Sequence, residues 1–224
     1  MDFDRQELRE FLLRACHDLR APLRAVRTTS ELLVKLPEKR EGAEFEQLLG
    51  LLVNGVSSAN SLVDGVTNYA LALQVQPSAR PVPTRALLGG VLVQMAPEIR
   101  AAGAEITYDE LPLVMGDAER LMQLFENLLR NAIQHCGEAA PRVHVSAREE
   151  DGAWILSVGD NGPGIAAEYL ERIFRPFERL SRKREGAGLG LAICREIVAG
   201  HRGRIWAESR VGQGTTINFT LETA

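Results

Sequence analysis

The sequence predicts two domains: an all-α antiparallel helical hairpin that pairs with a second copy as a dimeric four-helix bundle, followed by a domain of mixed α and β elements. Three observations predict it. Two long apolar stripes with helical spacing fill the first third of the chain, separated by one short break. A stretch without periodicity, with prolines at 77, 81 and 83, comes next. Beyond it, short strand-like runs alternate with helical patterns. Two glycine clusters stand among them, Asp160-Asn161-Gly162-Pro163-Gly164-Ile165 and Gly186-Ala187-Gly188-Leu189-Gly190-Leu191.

In the first stripe, apolar or small residues recur at Leu8, Leu12, Ala15, Leu19, Pro22, Val26, Thr29, Leu33 and Leu36, in steps of four and three that make a heptad seam. Residues 37–42 break it. The second stripe runs Phe45, Leu48, Leu52, Ala59, Leu62, Val66, Tyr69 and Leu73, and Leu49, Val56, Val63 and Ala70 widen it. One hairpin cannot bury stripes that wide, so a homodimer is expected; the alternative is that the second domain covers them. With Ala15 at a core position, His17 falls on the outermost face of its helix. It is followed by Asp18, Arg20 and Pro22. Pro22 removes the N–H that would bond the carbonyl of Asp18, which predicts a kink beside His17. An exposed imidazole, a neighbouring carboxylate and a kink suit a phosphate acceptor, although an exposed histidine alone is ordinary surface.

Residues 76–83 read as a linker between a hairpin domain, 1–75, and a second domain, 84–224. Thr84 is expected to cap a helix that reaches about Ala102, bent at Pro97 and ended by Gly103. Strands follow at 104–108 and 113–115. The next helix spans about 117–135, with Leu121, Leu124, Phe125, Leu128, Leu129, Ala132 and Ile133 on its core face. Asn127, Asn131, Gln134 and His135 share another face. Polar outer faces are common, but asparagine is a middling helix former. Two of them one turn apart suggest a ligand such as Mg²⁺, which accepts neutral oxygens. Strands at 143–149 and 154–159 pair around Asp151-Gly152, and a short helix follows near 167–173. The basic run at 181–185 reads as a mobile loop. A helix over 188–199 begins inside the second glycine cluster, where its N-terminus favours phosphate. Strands at 204–209 and 215–221 close the fold around the turn 211–214. Glycine clusters let backbone approach a ligand, and Asp160, at a strand end, can accept hydrogen bonds from a ligand amine. Either cluster by itself also suits an ordinary turn.

Composition narrows the function classes. The 224 residues carry a net charge of −4, which gives no global basic field for nucleic acid. At 45% hydrophobic and 25% charged, the chain reads as globular. Its longest apolar stretch, 86–96, is too short to span a bilayer, so no membrane contact by this segment is expected. Three unpatterned cysteines and no opening signal peptide suggest a reducing cytoplasm. The chain opens inside a helical pattern, as the C-terminal part of something longer would.

Taken together, these motifs resemble the transmitter region of sensor histidine protein kinases, over nearly the whole chain. The stretch His17 to Pro22 is similar to the phospho-acceptor box, and Asn127-Leu128-Leu129-Arg130-Asn131-Ala132 to the asparagine box. The first and second glycine clusters match the two glycine boxes, Phe174-Arg175-Pro176-Phe177 the phenylalanine box, and Gly212-Gln213-Gly214-Thr215-Thr216 the last glycine-threonine turn. The resemblance implies that an upstream sensor domain lies outside this chain, and that the second domain is a GHKL-type α/β sandwich that binds ATP. In it Asp160 holds the adenine amine, Asn131 coordinates Mg²⁺ with Asn127 assisting, and Gly188 and Gly190 lie against the phosphates. Thr215 sits near the adenine, and the lid runs over 175–187. The matched boxes add Gly162, Gly164, Ile165, Gly186 and Leu189 to the ATP-binding set.

The resemblance also implies a reaction. His17 attacks the γ-phosphorus through Nε2, while Asp18 holds Nδ1–H, and the phosphoryl group passes to an aspartate of a response-regulator receiver domain. Two departures stand out. Gln134 and His135 occupy a place where family members often carry a lysine or arginine, then tyrosine or histidine; Arg179, Arg182, Lys183 or Arg184 is expected to substitute. Ala21 stands where a threonine or asparagine often orients water for phosphatase activity. Two other functions remain open at this point: a GHKL ATPase or conformational clamp, and a non-catalytic dimeric scaffold. Against the clamp, Asn127 occupies the place of its water-activating glutamate, and Glu126 points about 100° away.

Overall fold

The two stripes form α1 (Arg5–Lys35) and α2 (Ala43–Gln74), a helical hairpin, in a computed structural model that describes residues 5–35, 42–74, 79–137, 139–180 and 187–224. Ala15 and Thr29 of α1 and Ala59 and Leu62 of α2 are buried, as the seam requires. Gly55 permits close packing: a Cβ there would meet Val26 Cγ2 at 2.9 Å. The helix α1 continues through Pro22. Apart from Gly42, the expected break lies outside the described residues. Leu49, Val56 and Val63, which widen the second stripe, are exposed.

At the base of the hairpin it is Phe11, not Leu12, that turns inward: Phe11 is 8% exposed and Leu12 50%. The Phe11 ring stacks on Tyr69 at 4.8 Å between centroids and meets Phe177 of the α/β unit at 5.1 Å. Phe11, Tyr69 and Ala72 share one apolar cluster with the core of that unit. The second domain therefore covers the stripe at its base and leaves the flank of α2 open. Truncating Phe11 to alanine removes a buried ring from between two others. We expect a stability loss of about 3 kcal/mol, read as a lower urea midpoint for the full chain.

The α/β unit carries a five-stranded sheet in the order β2–β4–β5–β7–β6: β2 (Glu105–Tyr108), β4 (Arg142–Glu150), β5 (Ala153–Asp160), β7 (Thr215–Glu222) and β6 (Ile205–Ser209). β2 and β4 are parallel, and the other pairs antiparallel. Alternation turns Val143 and Val145, Leu156 and Val158, and Ile217 and Phe219 to one face. There they pack against α5 (Ala118–His135) and α6 (Gly190–Gly200). The hairpin β4–β5 turns at Asp151 and Gly152, both at positive φ, as expected.

Four local expectations need correction. Residues 80–83, read as the end of the linker, form β1 (Arg80–Pro83), which pairs antiparallel with β3 (Leu113–Gly116). Two prolines hid it, and proline is tolerated in such a two-stranded edge pair. Thr84 does not cap the helix. Its hydroxyl donates to Pro112 O, while Pro83 takes the cap position. The expected long helix is two, α3 (Thr84–Gln94) and α4 (Ala96–Ala102), because Pro97 cannot donate back and instead sits in the first turn of α4. The short helix near 167–173 is two 3₁₀ turns, Ala167–Tyr169 and Arg172–Phe174, each too short to nucleate an α-helix. Among the described residues no helix is long and apolar enough to cross a membrane.

Candidate functional site

On α1, His17 presents an 81% exposed side chain, and its Nδ1 lies 3.0 Å from Asp18 Oδ1. An ionised carboxylate only accepts, so Nδ1 carries the hydrogen and the Nε2 lone pair faces solvent. Ala21, one turn on, is exposed as well. The hydrogen bond and ion pair of His17 stay within the hairpin.

The second set of residues grows from the sheet's end, where the register sets Ser209 opposite Thr215 and Thr215 opposite Asp160. All three share the face that packs the helices, by alternation with Ala207, Ile217 and Val158. Asp160 Oδ1 accepts from the backbone N–H of Gly162 at 2.8 Å and of Thr215 at 3.2 Å. Burial raises the Asp160 pKa above the ordinary carboxylate value, and these two donors oppose that shift. The loop after β5 lies backbone to backbone on the turn before β7. Gly164 and Gly214 have φ of 71° and 84°, and a Cβ on either would strike the carbonyl oxygen of Arg210 or of Asp160. Gly212 N–H donates to Pro163 O at 2.7 Å, and Ile165 N–H to Ser209 Oγ at 2.8 Å. Only glycine meets both demands at 164 and 214. Sequence reasoning missed Ser209; the signal was a hydroxyl ending a strand six residues before Thr215.

The other wall is α5 and the start of α6. Asp117 caps α5 through bonds from Glu119 N–H and Arg120 N–H. A Cβ on Gly190 would sit 3.7 Å from Asn127 Oδ1, so Asn127 faces the first residue of α6. Asn131 is half-buried one turn further along. Gln134 and His135 are exposed at the end of α5. A Cβ on Gly162 would come within 2.8 Å of His135 O, so that end of the helix abuts the first glycine cluster. Leu189, buried at 2%, gives α6 no side-chain cap, as a helix start that binds phosphate requires. Gly188 O accepts from Phe177 N–H at 2.8 Å, and a Cβ on Gly188 would meet Arg179 Cγ at 3.0 Å. Arg179 thus packs its side chain beside Gly188. Arg182, Lys183, Arg184 and Gly186, with the rest of 181–186, fall outside the described residues; the other residues of the expected lid are described.

Two features bear on the chemistry. Glu126 is paired with Arg130 at 2.8 Å, and Arg130 also reaches Glu98 at 3.1 Å. The bond to Glu98 raises the Arg130 pKa; partial burial opposes it, and the bond to Glu126 adds to the rise. Glu126 is therefore engaged as an anchor. Among the described residues no cluster of three or more histidine, cysteine, aspartate or glutamate side chains forms a metal site. One or two amide oxygens from Asn127 and Asn131 suit Mg²⁺, which keeps most of its ligands as water and phosphate oxygen.

Comparison with known proteins gives the following. The family model described as histidine kinase-, DNA gyrase B- and HSP90-like ATPase matches residues 116–224. Cyanobacterial phytochrome A of Nostoc sp. is 39% identical over 217 residues, covering 96% of this chain and 28% of that protein. Full-length ShkA, solved in complex with AMPPNP, has a TM-score of 0.67 at 28% identity, over 96% of this chain and 46% of that one. The nucleotide-free catalytic domain of histidine kinase ThkA has a TM-score of 0.57 at 30% identity, over 65% of this chain and 96% of that one. ThkA in complex with the response regulator TrrA shares the fold at a TM-score of 0.77 and 24% identity, over 96% of this chain and 61% of that one. The chain spans less than a third of the phytochrome it matches.

Proposed function

This chain belongs to the histidine kinase family, as the transmitter region of a two-component sensor kinase, and from that membership we propose its activity: ATP-dependent autophosphorylation on His17, then transfer to an aspartate of a response-regulator receiver domain. Its C-terminal part is a GHKL-type ATP-binding domain. Residues 1–75 serve as the dimerisation and phosphotransfer hairpin and residues 84–224 as the ATP-binding domain. The observation that carries the reading is the His17–Asp18 bond, which holds one tautomer with Nε2 open to solvent.

His17 Nε2 attacks the γ-phosphorus of ATP. The N–P bond forms as the bond to the β–γ bridging oxygen breaks, and ADP leaves. Asp18 keeps the proton on Nδ1 and stabilises the positive charge that develops on the ring. Asp160 and Thr215 hold the base; Gly188, Gly190 and the N-terminus of α6 hold the phosphates. Asn131, with Asn127, would hold Mg²⁺, which supplies charge neutralisation at the phosphates. A receiver aspartate then attacks the phosphorus, and the N–P bond breaks. The exposure of His17 leaves room for both approaches. ThkA, solved with its response regulator, supports a partner of that class, and the exposed flank of α2 supports a homodimer. Three free cysteines accord with a reducing cytoplasm. The clamp reading is weaker, because Asn127 is a poor base and Glu126 is tied to Arg130.

Ala21 predicts the balance of activities. It is exposed one turn after His17 and offers neither donor nor acceptor to a water. The protein is expected to be kinase-biased, with weak phosphatase activity toward its receiver. Purified phosphorylated receiver, presented with ADP absent, should keep its phosphate, and Ala21→Thr or Ala21→Asn should speed its loss. Rapid loss with the parent chain, unaffected by His17→Ala, would refute this.

A further inference from the structure

We propose that Ser209 is a positioning residue that makes the nucleotide site selective for a 6-aminopurine. The inference rests on the ATP-site reading above. Ser209 Oγ has three partners: it accepts from Ile165 N–H at 2.8 Å, touches Gly214 O at 2.6 Å and lies 3.0 Å from Thr215 Oγ1. A carbonyl oxygen cannot donate, so the single Ser209 proton goes to Gly214 O. The contact with Thr215 then has one possible sense, with the Thr215 hydroxyl donating to Ser209 Oγ.

The consequence lies at Thr215. Its only side-chain proton is committed, so its hydroxyl offers a ligand nothing but lone pairs. Thr215 sits directly across from Asp160, on the same face of the sheet. The Asp160 carboxylate is acceptor-only too, and its Oδ1 is already engaged by Gly162 N–H and Thr215 N–H. The row Ser209–Thr215–Asp160 therefore presents acceptors alone to the base. An exocyclic amine brings two N–H donors and matches it. A carbonyl at the same place sets lone pair against lone pair, and a buried mismatch of that kind is costly. Without Ser209, the Thr215 hydroxyl is free to turn and donate, and the row then accepts a 6-oxopurine.

ADP and IDP differ at this edge of the base and carry the same phosphates. The test is calorimetric titration of the full chain with each. The parent should prefer ADP by on the order of a hundredfold, as expected for a hydrogen bond to a charged group replaced by a repulsive contact. Ser209→Ala should shrink that ratio by roughly tenfold, largely through tighter IDP binding. Thr215→Val should shrink it as well, and adding Ser209→Ala to Thr215→Val should change the ratio no further. Ser209→Thr, which keeps the hydroxyl, should restore the parental ratio. A purely structural Ser209 would weaken ADP and IDP equally and leave the ratio intact; that result overturns the assignment. So does a Thr215→Val variant with the parental ratio, which holds even if Ser209→Ala fails to fold. A parent that binds ADP and IDP alike would overturn the adenine reading of Asp160 together with this one, so the two failures are distinguishable.

Discussion

His17→Gln abolishes phosphoryl incorporation and leaves ADP affinity unchanged. Glutamine keeps the bulk and polarity of the side chain but has no nucleophilic nitrogen, so no N–P bond can form. The side chain is 81% exposed and its hydrogen bond and ion pair go to Asp18, its neighbour on α1. It lies six residues from Phe11, about 9 Å along the helix, so the docked base of the hairpin is not disturbed. Radiolabel on the protein and calorimetric titration with ADP measure the two effects separately. A large loss of ADP binding in this variant would mean that His17 supports the pocket.

At Asp160 the effect falls on binding. Asp160→Ala should weaken ADP by roughly tenfold to a hundredfold, the cost of a lost hydrogen bond to a charged group. ADP binding equal to the parent's would show that Asp160 does not hold the base. A pH dependence follows from the same group. Burial holds the Asp160 pKa above its ordinary value, so ADP affinity should fall with acidification before a solvated carboxylate would titrate. In the empty protein the sign runs the other way. A raised folded pKa contributes stability below the unfolded value, and that contribution is lost as pH rises through the folded value. Asp160→Asn should therefore raise the neutral-pH stability of the empty protein while weakening ADP, and remove the acid dependence of binding. Urea midpoints and titrations at several pH values check both.

Periodicity made the hairpin, the helix α5 and the strand pair around Asp151-Gly152 legible, because each repeats its signal over several turns or alternations. The first glycine cluster and the last glycine-threonine turn marked their loops for a second reason: Gly164 and Gly214 must be glycine where two backbones touch. What escaped was non-local. Nothing near Phe11 announces that it stacks on Tyr69 and meets Phe177, far along the chain. Thr84 looked like a helix cap, and its hydroxyl found Pro112 O instead. Ser209 gained its meaning from strand register, which brings Thr215 and Asp160 alongside and which local pattern does not specify. Asp18 was readable because its partner is the adjacent residue.

On the proposed function, the phosphoryl group of ATP moves to His17. Incubating the full chain with γ-labelled ATP and Mg²⁺ tests it most directly, with the labelled protein then exposed to acid and to base. Transfer to His17 leaves label on the protein that is lost in acid, persists in base and is absent from His17→Gln. Release of free labelled phosphate with no labelled protein would contradict it in favour of an ATPase clamp, and an absence of both would leave a scaffold.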